Sequence, residues 1–104
     1  MRNIAVVDSS KQNIVNKLCD LADSMKIVKK IVIFGSAANQ TCSADSDIDI
    51  CYDLDCDTQD KRARDLSVST SKICDYNCDV VYYGMIGSNL KDEIDATGVT
   101  VYES

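Results

Sequence analysis

Two aspartates one residue apart, Asp47 and Asp49, follow the pair Gly35-Ser36 after a spacer of ten residues. The run Asp47-Ile48-Asp49-Ile50 alternates as a strand does, so both carboxylates point to one side, roughly 6.6 Å apart along the backbone. Acids aligned in this way repel unless cations sit between them, and Mg²⁺ takes hard oxygen ligands from carboxylates and substrate phosphates. Gly35-Ser36 supplies the other half of such a site. An apolar run ending in Gly-Ser reads as a buried strand turning into a helix start, where free N–H groups and the helix dipole attract phosphate. Glycine there lets the backbone approach a phosphate that a side chain would block. Gly-Ser alone also serves an ordinary strand-to-helix turn, but with the two acids downstream the stretch predicts a metal-nucleotide site.

The elements that must hold these residues are legible at coarse grain. Residues 31–34 form the strand before Gly35, and a short helix runs from Ser36 to about Gln40. Upstream, Ile4, Ala5, Val6 and Val7 suit an edge strand or a docked tail. From a cap at Ser9 or Ser10, Ile14, Leu18, Leu21, Ala22 and Met25 recur at helical spacing to about Lys26. Lys29 and Lys30 stand at the end of the strand opposite Gly35 and read as solvated charges. After Tyr52 the acidic stretch with Asp53, Asp55 and Asp57 is turn-prone, and Asp57 or Thr58 can cap a helix over about 58–72. That helix buries Ala63, Leu66, Thr70 and Ile73, while Lys61, Arg62 and Arg64 read as a solvated face. Residues 78–83 are rich in β-formers and stop at Gly84. Ser88 or Asn89 then caps a helix carrying Leu90 and Ile94, Gly98 ends it, and residues 99–102 form the last strand. The expected architecture is α/β, a mixed sheet covered by helices, in one domain spanning residues 1–104.

Composition narrows the chemistry. Seventeen acids against eleven bases leave a net charge of −6, which opposes direct nucleic-acid binding because phosphate neutralisation needs clustered Lys and Arg. The expected partner is a nucleotide carried with Mg²⁺, plus a neutral or basic protein or small molecule. Without a signal-peptide pattern or an apolar run near 18 residues, the expectation is a cytoplasmic protein with no membrane contact. Six cysteines occur with no His; the spacings Cys51 to Cys56 and Cys74 to Cys78 sit loosely near zinc-ligand patterns, but reduced, mostly buried thiols are the expectation, with Cys42 the most exposed. Asp45 through Asp49 superficially matches the start of an EF-hand loop, yet Ile50 and Cys56 stand where that loop needs Gly and Glu. Asp53 shares the face of Asp47 and Asp49, too far from the Gly-Ser turn for a metal role.

An apolar strand, Gly-Ser, a ten-residue spacer and Asp-x-Asp together resemble the signature of the DNA polymerase beta-type nucleotidyltransferase superfamily. In its short length the chain is similar to the minimal nucleotidyltransferases (MNT) within it, many of which are antitoxin partners of HEPN-domain toxins. The resemblance implies that Gly35 and Ser36 hold the terminal phosphates of ATP or another NTP, and that Asp47 and Asp49 bridge two Mg²⁺ ions. It assigns the third acid, beside the attacking hydroxyl, to Asp79 at the opening of a strand, with Asp75 in the preceding loop as the alternative. The implied activity is transfer of a nucleoside monophosphate, AMP from ATP, to a hydroxyl on a HEPN partner. The commoner family pattern continues Gly-Ser-Arg-x-Arg-Gly, whereas this chain has Ala37, Asn39 and Gln40. Losing those cations weakens transition-state stabilisation, which keeps a second reading open: an antitoxin that neutralises its partner by binding alone.

Overall fold

A computed structural model of the chain describes residues 2, 3, 7, 9–35 and 47–104. The Gly35 turn therefore lies at the edge of the described chain, and Ser36, the short helix over 36–40, Ala37, Asn39, Gln40, Cys42 and Asp45 fall outside it.

Four strands form one sheet: β1 (Val28–Phe34), β2 (Ile48–Leu54), β3 (Cys78–Tyr82) and β4 (Val99–Glu103), in the order β3-β2-β1-β4. β1 pairs antiparallel with β2 and β4, whereas β2 and β3 run parallel. A parallel neighbour needs a crossover, and α2 (Lys61–Ile73) provides it between β2 and β3. The mixed sheet expected from the alternation of strands and helices is present, and β1 begins earlier than residue 31, at Val28.

Alternation along the strands builds two layers. Ile31 and Ile33 of β1, Ile48, Ile50 and Tyr52 of β2, and Val101 of β4 pack with Val15, Leu18, Cys19 and Ala22 of α1 (Gln12–Met25) and Leu66 of α2 into the main core. The opposite face is thinner: Val32 and Cys51 meet Ile94 of α3 (Ser88–Thr97), flanked by Phe34, Val81, Tyr83 and Leu90. Asp49 alternates with Ile48 and Ile50 and so belongs to this second face.

Several local expectations need correction. Ser9 and Ser10 do not cap α1: they form a 3₁₀ turn, Ser9–Lys11, and Lys11 occupies the cap position without a side-chain cap bond. Val15 and Cys19, omitted from the expected stripe, are buried at its centre, whereas Ile14, Leu21 and Met25 pack at its margins. α2 is capped by Asp60, not by Asp57 or Thr58, because Asp60 Oδ1 accepts the Arg62 N–H at 2.9 Å. α3 is capped by Gly87 instead of Ser88 or Asn89. Tyr83 leaves β3 for a 3₁₀ turn, Tyr83–Met85, and Gly98 does end α3. A Cβ on Gly98 would stand 2.6 Å from both the Ile94 carbonyl oxygen and Val32 Cγ1, so helix and sheet can approach only over glycine.

At the N-terminal end, Arg2 bridges to Tyr102, and the Asn3 N–H donates to the Val101 carbonyl at 2.8 Å. Its guanidinium also meets Asp20 and Asp23 of α1, each at 2.7 Å. Val7 is buried in the main core, and residues 4–6 lie outside the described chain. Among the described residues, no helix is long and apolar enough to cross a membrane.

Candidate active site

The parallel pairing of β2 with β3 decides where the acids meet. Its register sets Ile48 opposite Cys78 and Asp49 opposite Asp79, and opposed residues of parallel strands share a face. The Asp79 carboxylate lies close enough across this pairing to act on the charge of Asp49. Burial pushes the Asp49 carboxyl above the ordinary aspartate range, helped by the negative fields of Asp79 and Asp47 and by Glu93 of α3. Each of these causes penalises the charged form. Neither Asp49 nor Asp79 has a cationic side-chain partner among the described residues.

Asp47 and Asp79 are solvent-exposed, whereas Asp49 is half-buried. Asp47 sits just before β2, at the mouth of the pair, and reaches Asp49 through its field. Among the described residues, no three His, Cys, Asp or Glu side chains converge closely enough to form a ready metal cage. The structure thus brings Asp49 and Asp79 together, places Asp47 beside them, and leaves Asp75 exposed in the turn after α2.

Gly35 closes the site from β1. Phe34 registers with Asp49 across the antiparallel pair, and the next residue, Gly35, turns at φ +72°. A Cβ there would overlap the Asp49 carboxylate. Glycine is required twice over, by the left-handed backbone and by the contact. The glycine argued from phosphate approach is therefore also the residue that admits the acid to the bend.

Crowded carboxylate oxygens, half-buried at Asp49 and with no cationic side chain paired to them among the described residues, are donors that suit a hard divalent cation. Asp49 and Asp79 could form the core of such a set, with Asp47 beside them. Lys61, Arg62 and Arg64 do not belong to it. They are exposed on α2, across the sheet, and Arg62 is engaged by Asp60 at 2.9 Å. Asp53 lies farther along the acid face, in the wall of a cleft of about 240 Å³ that Lys30, Cys51, Tyr83, Asp95 and Thr100 also line. Sequence reading missed this cleft and the position of Glu93 near Asp49. Ile94 as the buried residue of α3 was the available signal, since its neighbours 93 and 95 must flank the contact with the sheet.

Comparison with known proteins shows the family of the chain. Residues 16–104 match the family "Polymerase beta, Nucleotidyltransferase". The chain belongs to the polymerase beta nucleotidyltransferase family. Its structural neighbours include toxin-antitoxin complexes. One, a toxin-antitoxin crystal structure with AMP-PNP, superposes with a TM-score of 0.67 at 28% identity over 88% of this chain and 73% of that one. The toxin-antitoxin MntA-HepT gives 0.65 at 25% over 89% and 73%. A tri-AMPylated Shewanella oneidensis HEPN toxin in complex with MNT antitoxin gives 0.68 at 23% over 90% and 73%, a likeness of fold. No curated protein matches the chain. Of the described cysteines, Cys19, Cys51 and Cys74 are buried and Cys56 and Cys78 partly so, which matches the expectation of mostly buried side chains.

Proposed function

We propose that this nucleotidyltransferase-family chain transfers AMP from ATP to a hydroxyl of a HEPN-domain partner and thereby acts as an antitoxin. The observation that carries the proposal is the register of Asp49 with Asp79 against the Gly35 bend. Asp47, Asp49 and Asp79 would hold Mg²⁺, which, when bound, neutralises the triphosphate and lowers the pKa of the attacking hydroxyl. Gly35 and Ser36 offer backbone N–H groups and a hydroxyl to the β and γ phosphates. Asp79, the more exposed member of the pair, receives the proton of the acceptor hydroxyl. The hydroxyl oxygen forms a bond to the α-phosphorus, the bond from that phosphorus to the bridging oxygen of the β-phosphate breaks, and pyrophosphate leaves. Little else is asked of the protein, since positioning and charge supply most of the rate in phosphoryl transfer.

A second reading, neutralisation by association alone, draws on Ala37, Asn39 and Gln40, which stand where the common pattern has two arginines and a glycine. The two separate in one experiment. The protein is incubated with Mg²⁺, a HEPN partner and ATP labelled in the α-phosphate, beside Asp79→Asn. Label on the partner with the wild type and none with the variant supports transfer. Partner binding and neutralisation without label in either supports association.

A further inference from the structure

The turn from α2 into β3 contains two consecutive left-handed residues, neither of them glycine: Asp75 at φ 53° and Tyr76 at φ 63°. The first has a local cause. Cys74 closes α2, the Tyr76 N–H returns to the Ser71 carbonyl at 2.7 Å and the Asp75 N–H to the Lys72 carbonyl at 3.3 Å. This is the double bond of a Schellman ending, which asks for a left-handed residue at position 75. Nothing in that motif asks for one at 76. A bulky side chain in this region is an outlier, and its cost persists only where surrounding contacts impose it.

Those contacts tie the turn to the acids. The Asn77 N–H donates to the Cys74 carbonyl at 3.0 Å, and the Asn77 carbonyl accepts the N–H of Ile48, the residue before Asp49, at 3.1 Å. Asp79 follows two residues later. Tyr76 is thus fixed at the same end of the sheet as Asp47, Asp49 and Asp79, three residues before Asp79 in the chain. Its ring is 71% exposed, the most exposed large hydrophobic side chain among the described residues. The other two, Val68 and Met85, lie on α2 and on the turn after β3.

We infer that Tyr76 is a stacking platform for the nucleobase of the bound nucleotide, an inference that rests on the function proposed above. A single exposed π-face on a turn at the same end of the sheet as the proposed metal-holding acids is what one base requires. A protein-docking surface would instead call for a contiguous apolar patch. Stacking reads no hydrogen-bond pattern, so the platform tolerates adenine and guanine alike.

The test is calorimetric titration of wild type, Tyr76→Phe, Tyr76→Ala and Tyr76→Gly with Mg·ATP, Mg·GTP and base-free inorganic triphosphate. Tyr76→Ala should weaken both nucleotides by roughly 5- to 100-fold, the range that loss of one stacked base implies. Inorganic triphosphate should bind as before, and Tyr76→Phe should retain wild-type affinity. Tyr76→Gly, relieved of strain, should melt at or above the wild type while binding nucleotide as weakly as the alanine variant. Unchanged ATP affinity in Tyr76→Ala would overturn the inference, and if affinity for a HEPN partner fell instead, the ring would belong to protein docking. Equal loss of ATP and inorganic triphosphate would also overturn it, since the turn would then only brace the acids. A wild type that binds neither nucleotide would remove the underlying function and the platform with it.

Discussion

Asp49 is the residue on which the proposed cation binding and stability pull apart. Burial and the neighbouring Asp79 and Asp47 all oppose its charge, and a carboxylate kept in such surroundings costs the fold something. Asp49→Asn should therefore abolish nucleotidyl transfer while melting no lower than the wild type, as thermal denaturation without added Mg²⁺ would show. Gly35→Ala should do the reverse of a benign change. Its side chain meets the Asp49 carboxylate, and its φ of +72° adds strain. A loss of about 1–3 kcal/mol is expected, read from urea denaturation. Asp49 and Gly35 were both legible in the sequence, because Asp-x-Asp on a strand and Gly-Ser after one carry their own geometry. The role of Gly35 against Asp49 was not, since it depends on the antiparallel register of β1 with β2.

At the scale of elements, α2 shows how tertiary contacts decide what spacing leaves open. Asp57, Thr58 and Asp60 are all competent caps, and the chain uses Asp60, whose carboxylate is also gripped by the Arg62 guanidinium. The Arg62 side chain and N–H hold the Asp60 carboxyl down at about 2, against an ordinary 3.8. A depressed carboxyl stabilises the fold above its unfolded pKa and loses that contribution as pH falls through the folded value. The cap's support should accordingly be complete above about pH 4 and fade toward pH 2, and the difference in melting temperature between wild type and Asp60→Asn should shrink over that interval. Inside the sheet, the Tyr52 hydroxyl and the Thr70 hydroxyl lie 2.7 Å apart with both residues fully buried. Tyr52→Phe leaves Thr70 without its partner and should cost about 1–3 kcal/mol, with much of that recovered in Tyr52→Phe/Thr70→Val. Strand and helix identities were readable from periodicity, whereas the α1 and α3 caps were not: Lys11 and Gly87 carry no capping side-chain bond for a sequence to advertise.

For the whole molecule, the two faces of the sheet divide the labour. α1 and α2 seal the main core on one side, and the thinner side under α3 keeps the acids and the cleft near solvent. The cysteines follow the same division. Burial first, and then the nearby Cys78, push the Cys74 thiol up to about 12, and burial with Asp53 and Asp95 pushes Cys51 up to about 11. Iodoacetamide at pH 8 should consequently leave both unlabelled in the native protein and label both in denaturant, by mass spectrometry. The sheet's mixed character was legible from element order. That β3 lies on the edge beside β2, setting Asp79 against Asp49 and not against β1, is a fact of strand order that no local pattern encodes. The central claim is that Asp49 and Asp79, joined by this register, act as one divalent-cation site for a nucleotide. Its most direct measurement is calorimetric titration of ATP into the protein with and without Mg²⁺, repeated for Asp49→Asn and Asp79→Asn. The account predicts Mg²⁺-dependent binding in the wild type that either substitution weakens at least tenfold; Mg²⁺-dependent binding of equal strength in all three proteins would contradict it.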